Sequence, residues 1–306
     1  MKTTEILKVV PLWKQEKQNT VKKSTYFNYC MLLQKNLMPL LESNKNLDNK
    51  IVQDYVLNLN KQGLSIKSCK CIMVVLNNIL RYGAENDYFN YKKFKIKYPS
   101  NTEKSETLIL TKQQHKQVLD YISSNFTFKN LGIYLCLTGG LRIGEVCALT
   151  WQDIDIEKQV ITVKKTLQRI YSQEDEKLRT VVFLDTAKTI NSQREVPLSS
   201  SAVKLLKSIM KFVNLNYYVL SNNEKPIEPR CYRNYYKRFM KMLNLPSVKF
   251  HSLRHTFATR CVESSCDYKT LSCRLGHSNI TTTLNLYAHP NLEQKRKVIN
   301  KMLKSV

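Results

Sequence analysis

Residues 160–170, VITVKKTLQRI, break a pattern that otherwise predicts helices along most of the chain. β-Branched residues dominate this stretch and partly alternate with polar ones, as they do in a strand. The stretches TVVFLD (180–185) and SQREVPLS (192–199) have the same character, and an acidic turn, SQEDEK (172–177), separates the first two. The sequence therefore predicts a mainly α protein that contains a small antiparallel β-sheet.

The first hundred residues predict a helical domain. Apolar and aromatic side chains recur at helical spacing over residues 20–42, which we take as the first helix. Asp48 can cap a second helix that ends near Gly63, and Ser65 can cap a third. We therefore expect one helical domain over residues 1–98.

A linker and a second domain follow. Residues 99–110 belong to a stretch that loses helical periodicity and combines charge, proline and small polar residues, which is typical of a linker. Thr111 and Gln114 then have the spacing of a capping box at a helix start. Helical patterns return from about residue 200 to the end. We therefore expect a mixed α/β domain over residues 111–306.

The chain is strongly basic along its whole length. Its 306 residues include 49 Lys and Arg against 24 Asp and Glu, which gives a formal net charge of +25. Residues 1–100 alone carry 17 basic and 7 acidic side chains, so the excess is not confined to a tail. Such a balance favours a polyanionic partner, with DNA, RNA and anionic membranes as candidates.

The sequence lacks the usual signatures of membrane insertion, secretion and metal binding. The chain has no apolar run of about 18 residues, and its amino terminus lacks the apolar core and cleavage site of a signal peptide. The 9 cysteines are an odd number and form no CxxC pair. We therefore expect a cytoplasmic protein with no membrane association, no cofactor and no bound metal.

Two stretches hold charged side chains whose ordinary interpretation is structural. TGGLRIGEVCALTW (138–151) places Arg142 three residues before Glu145 at a helix start, and such a pair alone predicts an ordinary ion pair. TAKTINSQREVPL (186–198) places Lys188 in the turn between two strands. A single lysine in a loop is usually solvated.

A third stretch, HSLRHTFATR (251–260), places one arginine between two of the 5 histidines in the chain. If Ser252 caps the helix, Arg254 and His255 lie in its first turn and His251 lies just outside. If the helix begins earlier, the three side chains share one face. In both cases donors gather near a helix amino terminus, where a phosphate is favoured.

The fourth stretch is RLGHSNITTTLNLYAHP (274–290), which contains His277 and Tyr287. Helical periodicity alone makes Tyr287 a core aromatic residue. In chain order, however, the four stretches together resemble the catalytic signature of the tyrosine recombinase, or phage integrase, family. The matching segments are GLRIGE, HSLRHTFAT, LGH and the tyrosine of LNLYAH.

The resemblance implies a domain organisation. Residues 111–306 are similar to the family's catalytic domain, and residues 1–98 look like its helical core-binding domain. The long hairpin over residues 160–185 resembles an insertion in the integrases of conjugative transposons. Those relatives usually carry a further amino-terminal domain, and we expect the segment before the first helix to be too short for one.

The resemblance also implies a role for each matching residue. Arg142 and Arg254 would hold the non-bridging oxygens of a DNA phosphodiester, and His277 would donate to the same phosphate. Tyr287 would be the nucleophile, and Lys188 would protonate the departing 5′ oxygen.

Three neighbours would assist these residues. His251 would act as general base or proton relay beside Tyr287, Glu145 would orient Arg142, and His255 would support the site. The product would be a 3′-phosphotyrosyl bond, whose formation requires neither ATP nor a metal.

The function implied is site-specific recombination, in which a mobile element is integrated, excised or resolved. Double-stranded DNA would be the substrate, and DNA-bending or directionality factors are possible partners. We expect a monomer in solution and a homotetramer on DNA. A type IB topoisomerase-like enzyme that relaxes DNA, or a catalytically silent DNA-binding accessory protein, would be the alternatives.

One predicted helix is a candidate for contact with DNA. RCYRNYYKRFMKM (230–242) interleaves aromatic residues with basic ones, and a solvated basic face is an equally good interpretation. The residues that would contact DNA are Arg230, Arg233, Lys237, Arg238 and Lys241.

Overall fold

The computed structural model of the protein describes residues 1–91, 93–99, 108–172, 179–186, 193–276, 279–287, 296, 299–300 and 303. At residues 172, 179, 186 and 285–287 the description covers the backbone alone. The chain divides into two compact units, Met1–Ser105 with Ile170–Val181, and Glu106–Arg169 with Val182–Val306. Across the described ranges, no helix is both long and apolar enough to cross a membrane.

Helices dominate both units. Over the described residues they are α1 (Thr3–Thr20), α2 (Lys23–Leu32), α3 (Met38–Ser43), α4 (Asn49–Lys61), α5 (Ile66–Glu85), α6 (Lys112–Ser124), α7 (Phe128–Gly139), α8 (Ile143–Ala148), α9 (Ser200–Ile209), α10 (Pro229–Met242), α11 (His251–Glu263), α12 (Tyr268–Leu275) and α13 (Ile280–Tyr287). A π-helical turn joins α2 to α3, and 3-10 turns occupy Trp151–Asp153 and Met210–Phe212. The prediction of a mainly α chain is confirmed.

The strands form two small sheets. They are β1 (Ile154–Asp155), β2 (Val160–Val163), β3 (Lys165–Ser172), β4 (Arg179–Thr186) and β5 (Arg194–Pro197). In one sheet, β2 pairs antiparallel with β1 on one side and with β5 on the other, and Ile161 lies opposite Val196. β3 and β4 form a separate two-stranded sheet. The predicted stretch 160–170 is therefore two strands, divided at Lys164.

The first unit contains a helix that we did not predict. We expected the first helix to begin near residue 20, but α1 already covers Thr3–Thr20 and packs against α5. Its buried side chains include Ile6, Val9 and Trp13, each 0% exposed. Their spacing of three to four residues is the pattern of an amphipathic helix. The predicted helix over residues 20–42 is α2, the π-helical turn and α3.

Side-chain caps fix several helix starts as the sequence predicts. The Asp48 carboxylate accepts from the Ile51 backbone N–H at 2.8 Å at the start of α4. Ser65 caps α5 by accepting from the Ser68 N–H at 3.1 Å. Thr111 begins α6 with a capping box. Each bond supplies a partner to a backbone group that the helix itself leaves unpaired.

The second unit is built around α7, whose side chains are buried on nearly all sides and pack against α11. Leu110, which precedes α6, is held on α11 from both sides. Its N–H donates to Thr256 Oγ1 at 3.0 Å, and its carbonyl accepts from Arg260 Nη2 at 2.8 Å. Residues 100–107 of the predicted linker lie outside the described residues, and the domain limits proposed above stay predictions.

Candidate active site

The first turns of α11 carry the two histidines and the arginine of HSLRHTFATR. α11 begins at His251, and Phe250 before it already has helical backbone angles, so Ser252 is not the cap. At about 100° per residue, the side chains of His251, Arg254 and His255 therefore lie on one face. The two histidine rings meet edge to face, with their centroids 4.7 Å apart.

Arg254 is buried although it carries a charge, with only 2% of the residue exposed. Its Nη1 donates to the Gly140 carbonyl at 2.7 Å, and its Nη2 donates to the Leu275 carbonyl. Gly140 ends α7 at φ +68°, and a Cβ there would lie 2.5 Å from the Phe257 ring, so this position favours glycine. Arg254 thus joins the ends of two helices from inside the protein.

Arg142 lies at the start of α8 and forms the expected pair with Glu145. Its backbone N–H donates to Glu145 Oε2 at 2.8 Å, and its Nη1 donates to Oε1 at 2.6 Å. Its Nη2 donates to the Gly276 carbonyl at 3.2 Å. The Arg142 side chain is 35% exposed against 7% for Glu145. Part of the Arg142 side chain therefore reaches solvent from a buried network.

A third arginine, which the sequence did not single out, completes this network. Arg194 donates from Nη1 and Nη2 to the two oxygens of Glu145, at 3.0 and 2.9 Å. Its Nε donates to the Arg274 carbonyl at 2.8 Å. Along β5, Arg194 and Val196 are buried whereas the residues after each are exposed. Apolar or buried positions alternate with exposed ones along QREVPL, and this period of two could have predicted that Arg194 is buried.

Arg142, Arg194 and Arg254, which we call the arginine cluster, meet at the carboxyl end of α12. The carbonyl groups of three successive residues, 274–276, each accept one hydrogen bond from a different member of the cluster. The last carbonyls of a helix have no partner within it and carry the negative end of its dipole. Cationic donors therefore stabilise this helix end, which leads directly to His277.

The cluster sets the charge of the site. Burial raises the pKa of Glu145, but hydrogen bonds and charge from Arg194 and charge from Arg142 outweigh it, so that the pKa falls to about 2. The Glu145 carboxylate bonds to two of the three guanidinium groups, and Arg254 donates only to backbone carbonyls among its recorded bonds, so the cluster carries an excess of positive charge. Such an excess suits an anion with several acceptor oxygens, such as a phosphodiester.

The histidines of α11 are neutral at ordinary pH. His251 lies at the exposed surface of the site, yet partial desolvation of its ring and the charges of its neighbours lower its pKa to about 4. Partial burial, followed by the charge of Arg254, also lowers the pKa of His255. A neutral imidazole can accept a proton, whereas an imidazolium cannot.

Three of the predicted site residues cannot be located in the same way. Lys188 and His277 lie outside the described residues, so their roles stay predictions. Tyr287 is the last residue of α13, and its side chain also lies outside the description. Among the residues that are described, no group of three or more His, Cys, Asp or Glu side chains could hold a metal ion.

The basic residues predicted to contact DNA lie on α10 and are all exposed. At about 100° per residue, Arg230, Arg233, Lys237 and Lys241 form one stripe, and Arg238 lies on its flank. The opposite side of the helix is buried in the core through Tyr232, Tyr236, Phe239 and Met240. We call the exposed side the basic face of α10.

Two known proteins are similar to this chain in sequence. A tyrosine recombinase XerC-like protein of Caldanaerobacter subterraneus subsp. tengcongensis is 29% identical over 271 residues, which cover 81% of this chain and 68% of the relative. A transposase from transposon Tn916 of Enterococcus faecalis is 29% identical over 218 residues, which cover 65% and 52%. The chain therefore spans about two thirds of the first relative and about half of the second.

The fold is that of a solved transposon integrase. The Tn1549 transposon integrase, in complex with transposon right end DNA, superposes with a TM-score of 0.75 at 23% identity, over 99% of this chain and 100% of that one. The sequence profile of the phage integrase family matches residues 109–294, which is more than half of the chain. The chain therefore belongs to the phage integrase family, the tyrosine recombinases, and resembles the integrases of transposons and conjugative elements.

Proposed function

We propose that this tyrosine recombinase cleaves and rejoins DNA strands at specific sites through a 3′-phosphotyrosyl intermediate, and thereby integrates, excises or resolves a mobile element. The arginine cluster is the observation that carries the proposal. It brings three guanidinium groups to one helix end, places one carboxylate between two of them, and exposes part of Arg142 beside a neutral histidine.

The cluster suits the charge that develops on a phosphodiester under attack. Negative charge builds on the non-bridging oxygens as a fifth bond forms to phosphorus, and preorganised donors are worth most at that point. Arg142 and Arg254 neutralise this charge, and His277 donates to the same phosphate. Glu145 orients Arg142 by accepting from its backbone N–H and its Nη1.

Proton transfer accompanies both bond changes. The Tyr287 oxygen forms a bond to phosphorus as the bond from phosphorus to the 5′ oxygen breaks. His251, neutral because of its low pKa, accepts or relays the phenol proton. Lys188 gives a proton to the departing 5′ oxygen, and His255 supports the helix end that carries His251.

The intermediate explains why no energy source is required. The phosphotyrosyl bond conserves the energy of the phosphodiester, and a 5′ hydroxyl from another strand can attack it in reverse. Exchange between two duplexes cuts four strands, one tyrosine for each, so four protomers would assemble on double-stranded DNA. The free protein would be a cytoplasmic monomer, and DNA-bending or directionality factors would set the outcome.

The two parts of the chain would share the contact with DNA. Residues 1–98 would form the core-binding domain, residues 99–110 the linker, and residues 111–306 the catalytic domain. The basic face of α10 would contact phosphates or base edges. The similarity to a Tn916 transposase and to the Tn1549 integrase solved with transposon DNA supports a mobile element as the origin of the substrate.

A covalent-trapping experiment tests the proposal. The purified protein is mixed with DNA that flanks its own gene, in EDTA, and a protein–DNA adduct that resists SDS is sought. We expect an adduct with the wild-type protein and none with Tyr287→Phe, which lacks the nucleophile but should still bind DNA.

The other outcomes would each overturn part of the proposal. An adduct formed by Tyr287→Phe would exclude Tyr287 as the nucleophile. Specific binding without any adduct would indicate a silent accessory protein. Relaxation of a supercoiled plasmid that carries no second site would indicate a topoisomerase-like enzyme.

A further inference from the structure

We propose that Arg194 is a positioning residue for strand cleavage, which fixes both groups that orient the Arg142 guanidinium toward the phosphate. The inference rests on the proposed function, because it assumes that Arg142 acts on the phosphate. It adds to the site a residue to which the family resemblance assigned no role.

Arg194 fixes the first of these groups, the Glu145 carboxylate. Two parallel hydrogen bonds, at 3.0 and 2.9 Å, join the guanidinium to both oxygens of Glu145. Their side chains are 6% and 7% exposed, so the pair is shielded from solvent. Such a bidentate contact fixes the plane of the carboxylate. The same Oε1 atom then accepts from Arg142 Nη1 at 2.6 Å.

Arg194 also fixes the second group, the carboxyl end of α12. Its Nε holds the Arg274 carbonyl at 2.8 Å, and its Cδ lies against Gly276, where an added Cβ would be only 3.1 Å away. The Gly276 carbonyl accepts from Arg142 Nη2. Among the described residues, two groups accept hydrogen bonds from the Arg142 side chain, and Arg194 holds both in place.

Stability alone is a poor reason for an arginine at this position. Burying an ion pair carries a desolvation cost, and replacing such a pair with well-packed apolar residues is often neutral or stabilising. The neighbouring buried position on β5 is occupied by Val196, which shows that this strand accepts an apolar side chain. What the arginine supplies is a fixed geometry across three elements, β5, α8 and α12.

A modified substrate separates positioning from general structural support. The scissile phosphate is replaced with a methylphosphonate, which lacks one charged non-bridging oxygen and therefore needs less neutralisation by Arg142. We expect Arg194→Ala to slow cleavage of ordinary DNA by about 10²-fold, since a misplacement of about 1 Å in an active site has that effect. Cleavage of the methylphosphonate should be slowed less, as we also expect for Arg142→Ala.

Leu206→Ala provides the matched control, because Leu206 is 0% exposed in the same core and takes part in none of the hydrogen bonds described above for the cluster. Its cleavage rates on the two substrates should keep the wild-type ratio. If Arg194→Ala cleaves at the wild-type rate, or is slowed equally on both substrates, the proposal is wrong. If that variant fails to fold, Arg194→Lys, which keeps the charge but not the parallel bonds, is measured instead.

A second measurement keeps this inference separate from the proposed function. In ¹⁵N-arginine NMR, the Arg142 guanidinium should rotate slowly in the wild type and faster in Arg194→Ala. Absence of any wild-type adduct would contradict the proposed function, whereas unchanged Arg142 rotation would contradict the positioning role alone.

Discussion

The arginine cluster and the basic face of α10 are both rich in arginine, yet they place it in opposite environments. Arg194 and Arg254 are buried and donate to a carboxylate or to backbone carbonyls. The five basic residues of the α10 face are exposed to solvent. Arg142 lies between these extremes, at 35% exposure.

The difference indicates two ways of using the same positive charge. A buried guanidinium has given up its hydration and is fixed by its partners, so it can define geometry and a local field. A guanidinium exposed to solvent keeps its hydration until a polyanion displaces the water and releases its own counterions. We therefore expect the cluster to control the rate of cleavage and the α10 face to control affinity.

Substitutions in the cluster should give the largest effects. Arg142→Ala or Arg254→Ala should reduce the cleavage rate at saturating DNA by about 10²–10³-fold, the usual loss when one preorganised donor is removed. Gel-shift measurements should show similar DNA affinity. A large loss of affinity with an unchanged rate at saturation would assign the cluster to binding and remove the contrast with α10.

The free energy of unfolding should differ between Arg142→Ala and Arg254→Ala. Arg254→Ala leaves the carbonyls of Gly140 and Leu275 without their buried donor, which costs about 1–3 kcal/mol. Arg142→Ala should cost less, because Glu145 keeps both bonds from Arg194. Urea unfolding of the two variants provides the comparison.

Substitutions on the α10 face should give intermediate effects of a different kind. Arg233→Ala or Lys237→Ala should weaken DNA binding and reduce the slope of log affinity against log salt by about one for each lost phosphate contact. The cleavage rate at saturating DNA should not change. Lys158→Ala is the matched control, because it removes an exposed lysine that pairs with Asp155 instead. An unchanged slope would favour a solvated face without DNA contact.

The sequence patterns predicted which residues come together better than they predicted which of them bond to each other. Arg142, Glu145 and Arg254 followed from short motifs, and the structure brings them together at one helix end. Arg194 was missed because its partners, Glu145 and the Arg274 carbonyl, are 49 and 80 residues away in the chain. Local periodicity carries no information about such pairings, although it can predict which side of a strand is buried.

The same reasoning explains the outcomes for the fold. Caps such as Asp48 and Thr111 are local and were predicted correctly. The separation of the strands into two sheets depends on pairing between distant residues, such as Val163 with Arg194. The missed helix α1 is different, because its stripe of Ile6, Val9 and Trp13 was visible in the sequence.

The smallest expected effect is a pH dependence of stability that originates in the site rather than on α10. The folded protein lowers the pKa of His251 from 6.5 to about 4, so the unfolded chain binds more protons between these values. The free energy of unfolding should therefore fall as the pH is lowered through that window. Below it, protonation of Glu145, whose pKa is about 2 against an ordinary 4.5, should destabilise the protein further.

His251→Gln tests this origin by removing the titrating ring. Urea unfolding between pH 8 and pH 4 should show a shallower decrease for this variant than for the wild type. The difference should be at most about 1 kcal/mol, because His251 is exposed and solvent screens its charge. Arg233→Ala, on the basic face of α10, should instead follow the wild-type profile in parallel. Parallel profiles for His251→Gln and the wild type would mean that the folded protein does not lower the pKa of this ring, and a base for Tyr287 would then have to be sought elsewhere.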